Sequence, residues 1–320
     1  GPASTGIVLA GNRIGMNAAG TAAVPNEAEG VRIERAPGVR VGGSDEAARN
    51  LIGGNATHGV YVVGAEADGV QVLGNWIGVG AGGSMALPNG TDATARDGHH
   101  GVALISVPNA VVGGETGSPG AAPGNVIAAS AAHGVYVTGT PDAPASGAQV
   151  LGNLVGTDRA GSTALVGGEV AVYVAASAPD AQIGRAGAGN VIVAGREGDG
   201  GQKSGVWLID LGAAGAPDGG TVAANTVGLD DTGSTVLGDL ATGSGVLTEQ
   251  NDGGVERVVV GGDDAAAGNR VAGPGFAIGV FGPGSSGTVI ASNVAGLRAN
   301  GQLALSERPV AGIWVAGANG

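Results

Sequence analysis

The chain has 320 residues, 68 of them glycine, with 43% hydrophobic but only 2% aromatic residues, no cysteine and a net charge of −13. No strict three-residue glycine period runs through it, which excludes collagen, and its Val and Ile content excludes a disordered linker. The acidic balance, with one lysine (Lys203) beside the arginines, excludes a surface that neutralises runs of phosphates; cysteine chemistry and membrane-length apolar runs are absent too.

Gly1-Pro2 reads as a scar from tag removal, so residues 1–6 are expected to be a tag remnant or disordered start and 7–320 a single parallel β-helix domain, a fragment of a longer repeat protein. The chain enters in mid-coil at Ile7-Val8-Leu9. It reaches Asn12-Arg13-Ile14, and Gly30-Val31-Arg32-Ile33 opens the next coil. Equivalent openings follow at Gly59-Val60-Tyr61-Val62, Gly101-Val102-Ala103-Leu104, Gly134-Val135-Tyr136-Val137, Ala171-Val172-Tyr173-Val174 and Gly205-Val206-Trp207-Leu208. Gly245-Val246-Leu247-Thr248, Gly279-Val280-Phe281-Gly282 and Gly312-Ile313-Trp314-Val315 complete the series. Alternation puts the second and fourth residues inside and the third outside. Middle strands such as Val70-Gln71-Val72 and Gln149-Val150-Leu151 come next.

The third strand of each coil starts just after an asparagine: Asn12, Asn50, Asn75, Asn125, Asn153, Asn190, Asn225, Asn269 and Asn293. A buried amide is costly unless hydrogen-bonded, and amides stacked at one strand spacing satisfy each other. After Asn12, Asn75, Asn153, Asn225 and Asn293 comes an insert, for example Gly15 to Gly20 and Gly156 to Gly161. The true repeat is therefore two coils, with the inserts in a row along one edge. The expected fold is all-β: a right-handed parallel β-helix of about nine three-strand coils, roughly 40 Å long, with an internal Asn ladder and alternating coil types.

The segments Gly11-Asn12-Arg13-Ile14-Gly15 and Gly74-Asn75-Trp76-Ile77-Gly78, with Val41-Gly42-Gly43 and Val112-Gly113-Gly114 leading to Asn-x-Ile, resemble those of bacterial right-handed parallel β-helix repeat proteins of the pectate-lyase-like superfold. The resemblance spans essentially the whole chain and implies the fold. It is nearly silent on activity, because that superfold hosts lyases, hydrolases, epimerases, tailspikes and non-enzymatic surface proteins. Neither the calcium-plus-arginine site of pectate lyases nor the aspartate cluster of polygalacturonases has a match, so no catalytic residue is carried over.

Six of the eight aromatic residues, Tyr61, Tyr136, Tyr173, Trp207, Phe281 and Trp314, fall at the outward position of the first strand; Trp76 and Phe276 do not. Three readings stay open: a strip that stacks on sugar rings, ordinary sheet-stabilising aromatics, or a protein interface. His58, His100 and His133 open consecutive coils, with His99 alongside. They read as transition-metal ligands or as a ladder of turn histidines, Glu29, Ser204 and Ser244 filling equivalent places. Asp210 and Glu249 lie just past first strands near Trp207, either the carboxylate pair of a glycosidase or two solvated turn residues. Asp158, Asp230 and Asp231 in the inserts could offer oxygens to calcium, the one cofactor considered, or cap turns. Gly78, Gly80 and Gly83 match a dinucleotide fingerprint without a following helix, and Asn55 and Asn89 stand in glycosylation sequons.

Thin polar chemistry favours a non-catalytic module: a bacterial, secreted or cell-surface solenoid serving as rigid scaffold or adhesin-like rod. The alternatives are a polysaccharide-binding or polysaccharide-degrading β-helix (a lyase or hydrolase) using the aromatic column, and a tailspike-like oligomer. Partners in these readings are a glycan or another protein surface, with end-to-end or lateral self-association and no nucleic acid.

Overall fold

Valine and isoleucine alternating with outward residues give short strands, and Gly-rich corners fold every three of them into a coil. The computed structural model of the chain describes residues 4–91, 98–193, 203–211, 217–238, 243–250, 255–273, 275–283, 285, 287–304 and 311–317. Gly1-Pro2 and the Gly200-Gly201-Gln202 corner lie outside the described residues. Three parallel sheets of nine strands each are stacked as a right-handed β-helix. Sheet I, from Val31–Glu34 to Ala311–Ala316, holds the first strands; sheet II runs from Val8–Leu9 to Val289–Ala291, and sheet III from Arg13–Ile14 to Val294–Ala295. No helix among the described residues is long and apolar enough to cross a membrane.

The core is a set of in-register columns. Val60, Val102, Val135, Val172, Val206 and Val246 stack in sheet I, fully buried. Each buried valine stabilises by about 1.5–3 kcal/mol relative to exposure. The opening glycine exists because of the packing behind it. A Cβ on Gly59 would lie 2.7 Å from Ile77 Cγ2 of sheet III, and one on Gly101 would lie 2.6 Å from Ile127 Cγ2.

From Asn12 to Asn269, each ladder asparagine donates its backbone N–H and its Nδ2 to Oδ1 of the next, at 2.8–3.2 Å. From Asn50 onward, Nδ2 also reaches a carbonyl at the end of a middle strand, such as Val112 O from Asn153 at 2.9 Å. Donors and acceptor are all used, which is why the amides tolerate full burial.

A second ladder was not anticipated. Asn26 Nδ2 donates to Asn55 Oδ1 and Asn55 Nδ2 to Asn89 Oδ1, both at 2.8 Å. The two sequon asparagines are therefore buried structural amides and not glycan acceptors. One coil on, Ser130 takes the place against the opening glycine, and its buried Oγ has no partner.

The inserts are small hairpins, each closed by an antiparallel bridge: Met16–Ala23, Val79–Ala86, Thr157–Ala164, Leu229–Val236 and Leu297–Leu303. They stack directly although two coils separate their roots. Ala81 N–H donates to Gly20 O, Arg159 N–H to Gly83 O, Asp231 N–H to Gly161 O and Ala299 N–H to Gly233 O, at 2.8–3.0 Å. Beneath them Met16, Leu51, Trp76, Val79, Leu87, Val126, Leu154 and Val191 form a second apolar cluster on the outer face of sheet III.

One register expectation is corrected. Leu247 pairs with Gly279, Gly279 with Trp314, and Glu249 with Phe281. Phe281 is thus outward but two residues beyond the aromatic column, because Ala277, not Gly279, occupies the coil-opening position behind Ile278.

Candidate functional site

Sheet I carries three outward columns. The central one runs Arg32, Tyr61, Ala103, Tyr136, Tyr173, Trp207, Leu247, Gly279, Trp314. On the coil-opening side His133 is in register with Val170, Ser204, Ser244 and Phe276, with His100 and His58 stacked below. On the far side Glu34 is followed by Val63, Ile105, Thr138, Ala175, Ile209, Glu249 and Phe281.

The histidine and tyrosine columns, read separately from the sequence, merge into one array. Ring centroids are 5.2 Å apart for His58–His100, 4.9 Å for His100–His133, 4.5 Å for His100–Tyr136, 4.8 Å for His133–Tyr173 and 5.0 Å for Tyr173–Trp207. Tyr61 stacks on His58 at 5.0 Å. Ala103 leaves out a ring between Tyr61 and Tyr136, which stand two strand spacings, about 10 Å, apart. Around that gap lies an open groove of about 480 Å³ lined by His58, Tyr61, His100, Ile105, His133, Tyr136, Thr138 and Tyr173.

The imidazoles are tied to the backbone. His100 N–H donates to His58 Nδ1 at 3.1 Å, and His133 N–H to His100 Nδ1 at 3.3 Å. An Nδ1 that accepts requires the neutral ring with its proton on Nε2. Burial, then the neighbouring His133, His58 and His99, push His100 down to about 2. Burial pushes His133 down to about 4, against a backbone hydrogen bond to Val170 that works upward. His99, also buried, meets His58 edge-on at 6.4 Å, and its Nε2 has no partner. Among the described residues no three His, Asp or Glu side chains are arranged to hold a metal ion. Stacked rings present faces to one another, and two of their lone pairs are already engaged.

Charge sits at the two ends of the array. Arg32 lies over Tyr61, 5.1 Å from its centroid, and pairs with Glu29 at 3.0 Å and Glu34 at 3.4 Å. At the other end the Tyr173 phenol is raised, first by burial, then by Tyr136, Asp210, Glu249 and Glu169.

Asp210 is a corner residue with φ 50°, as Arg35 (51°), Ser106 (56°) and Ala176 (26°) are at other strand ends. Asp tolerates that conformation better than most residues. Its N–H donates to Glu249 O at 3.0 Å, and its own carbonyl accepts from Ser177 N–H at 3.2 Å. The structure therefore brings Asp210 and Glu249 into adjacent coils, but Glu249 is the last residue of its strand while only Asp210 lies past one, its backbone serving the turn.

The insert carboxylates cap their hairpins. Asp158 Oδ1 accepts from Ser162 and Thr163 N–H, both at 3.0 Å, and Asp230 Oδ1 from Ser234 at 2.7 Å and Thr235 at 3.1 Å. For Asp230 burial works upward, but the Thr235 and Ser234 amides outweigh it and the carboxyl is lowered. Asp231 is raised by burial and by Asp230 beside it.

Trp76 is enclosed, 7% exposed, with Arg49 over its ring at 4.4 Å and Arg159 at 5.9 Å. Phe276, Phe281 and Trp314 meet edge to face around Gly279, a second aromatic group at one end of the rod. Neither arrangement was legible from the sequence, since both depend on register across coils. No protein-family model, curated protein or solved structure matches this chain.

Proposed function

We propose that this chain is a non-catalytic β-solenoid module, a rigid adhesin-like scaffold of a bacterial surface or secreted protein. The observation behind this reading is the contrast between a rod braced by amide ladders and chemistry at its edges that is spent on turns. Asp158 and Asp230 spend their carboxylates on hairpin turns.

The groove favours a second reading, recognition of an uncharged glycan on sheet I. Its walls offer ring faces with N–H and O–H edges, and a sugar ring fits between aromatic platforms. No charged side chain lines it, so a neutral sugar suits it better than a polyuronate. The test is a titration with a panel of polysaccharides, following tryptophan fluorescence and assaying the same tubes for new reducing or unsaturated ends. Binding without cleavage that is lost in Tyr136→Ala supports glycan recognition. Cleavage overturns the non-catalytic reading, and silence across the panel leaves the scaffold alone.

A further inference from the structure

We propose that the corner beside Ser130 binds one internal water molecule, which takes the place of an amide where the second asparagine ladder stops. The site belongs to the interior of the rod and is independent of what sheet I binds.

The second ladder holds one corner position coil after coil: Asn26, Asn55, Asn89 and then Ser130. The opening glycines give the register. A Cβ on Gly30 would lie 2.7 Å from Asn55 Nδ2, one on Gly59 3.0 Å from Asn89 Nδ2, and one on Gly101 2.8 Å from Ser130 Oγ. The hydroxyl therefore stands where an amide nitrogen stands in the two coils before it. Those nitrogens are engaged, Asn55 Nδ2 with Asn89 Oδ1 at 2.8 Å and Asn89 Nδ2 with Ile52 O at 3.2 Å. Ser130 is 3% exposed, and its Oγ meets no protein partner. A hydroxyl buried without a hydrogen bond is costly, and a polar site with room beside it takes water.

The chain leaves that room. A cavity walled by Ser130, Ala132, Gly134, Gly156, Gly167 and Gly168 has about 20 Å³ for the centre of a water molecule. One water needs roughly 10–15 Å³ on this measure, so the cavity takes one and excludes larger ligands. The glycines leave their peptide groups uncovered by side chains, and these are the further hydrogen-bond partners that a held water requires. The next coil cannot meet Oγ with a side chain of its own. A Cβ on Gly167 or Gly168 would overlap the main chain of Ser130 and Ala132, and Gly168 N–H already donates to Ser130 O at 2.7 Å. Asparagine exceeds serine by roughly the bulk of a water, so serine plus water fills the place of one ladder amide.

The test is oxygen-17 relaxation dispersion, which counts water molecules held for longer than the protein takes to tumble, paired with urea unfolding. Ser130→Asn should hold one long-lived water fewer than the parent, because its amide occupies the cavity. An unchanged count in the folded variant would overturn the proposal. Ser130→Ala reads the hydroxyl itself and decides the matter even where the asparagine variant does not fold. With a water on Oγ, the substitution loses a hydrogen bond, and the folding equilibrium constant should fall about fivefold. A bare, desolvated hydroxyl predicts the opposite sign, since deleting it relieves a penalty. A rise in the constant would therefore sink the proposal.

Discussion

Two faces of this rod carry outward aromatic rings, and the chain treats them oppositely. On sheet III, Trp76 is roofed by the stacked hairpins and sandwiched by Arg49 and Arg159, 7% exposed and part of a second core. On sheet I, Tyr61, Tyr136, Tyr173 and Trp207 carry no such roof of hairpins among the described residues and remain half-buried. An outward position in a solenoid is thus not by itself a functional position. What separates a structural ring from a recognition ring is whether the chain brings an insert to cover it, and the five stacked hairpins all leave sheet III corners.

The sharpest way to break this comparison is to delete one ring from each face. Trp76→Ala removes a buried indole beneath a fixed hairpin roof and should cost about 3–5 kcal/mol. Trp207→Ala removes a partly solvated ring and should cost about 1 kcal/mol. Urea midpoints of the two variants measure the difference, and equal losses would mean the sheet I array is a core like the other.

Acid should then separate the faces, since the histidines are on sheet I. His133 is lowered to about 4 from 6.5, so the unfolded chain takes up its proton first as pH falls. Its stabilising contribution is fully present above pH 6.5 and drains away as pH falls towards about 4. That contribution is worth about 2–3 kcal/mol in a mostly buried site. His100, lowered further, continues the loss below that. Thermal melts from pH 7 to 4 should fall more steeply than those of a His100→Gln/His133→Gln variant. Parallel curves would show that the ladder is already charged in the folded state.

The fold was legible because its signals are local and repeated. Asn75-Trp76-Ile77 and its equivalents state a strand, a corner and a buried amide within three residues, and repetition averages out ambiguity at any one coil. The site was legible only in part. Tyr136 and Tyr173 were identifiable as outward from alternation, but that His100 and Tyr136 share a wall needs the inward Gly101 between them, whose cause lies in sheet III at Ile127. Phe281 was misplaced for the same reason: Gly279-Val280 imitates a coil opening that Ala277-Ile278 supplies. The Asn26–Asn55–Asn89 ladder was hidden because Asn26 and Asn89 stand beyond hairpin inserts, fourteen residues after Asn12 and Asn75, whereas Asn55 stands five residues after Asn50 in a coil without one.

The smallest expected effect concerns the corners that flank the two faces. Within the hairpins of the covered edge the left-handed turn positions are glycine, as at Gly83 (φ 71°) and Gly161 (φ 63°). A Cβ on Gly161 would press on Asp231 Cβ at 2.9 Å and Leu154 Cδ2 at 3.1 Å, so Gly161→Ala should destabilise by about 1–2 kcal/mol. At the ends of sheet I strands a left-handed conformation is carried by Arg35, Ser106 and Ala176 as well as by Gly64 and Gly282. Ala176→Gly relieves a left-handed alanine at a cost of some unfolded-chain entropy. The balance of the two should be a gain of about 0.5 kcal/mol in denaturation. Because Ala176 directly follows the strand of Tyr173, the variant should leave ligand titrations on sheet I unchanged. Opposite signs at Gly161 and Ala176 would show that the hairpin edge is built tight against its neighbours while the recognition edge is built open.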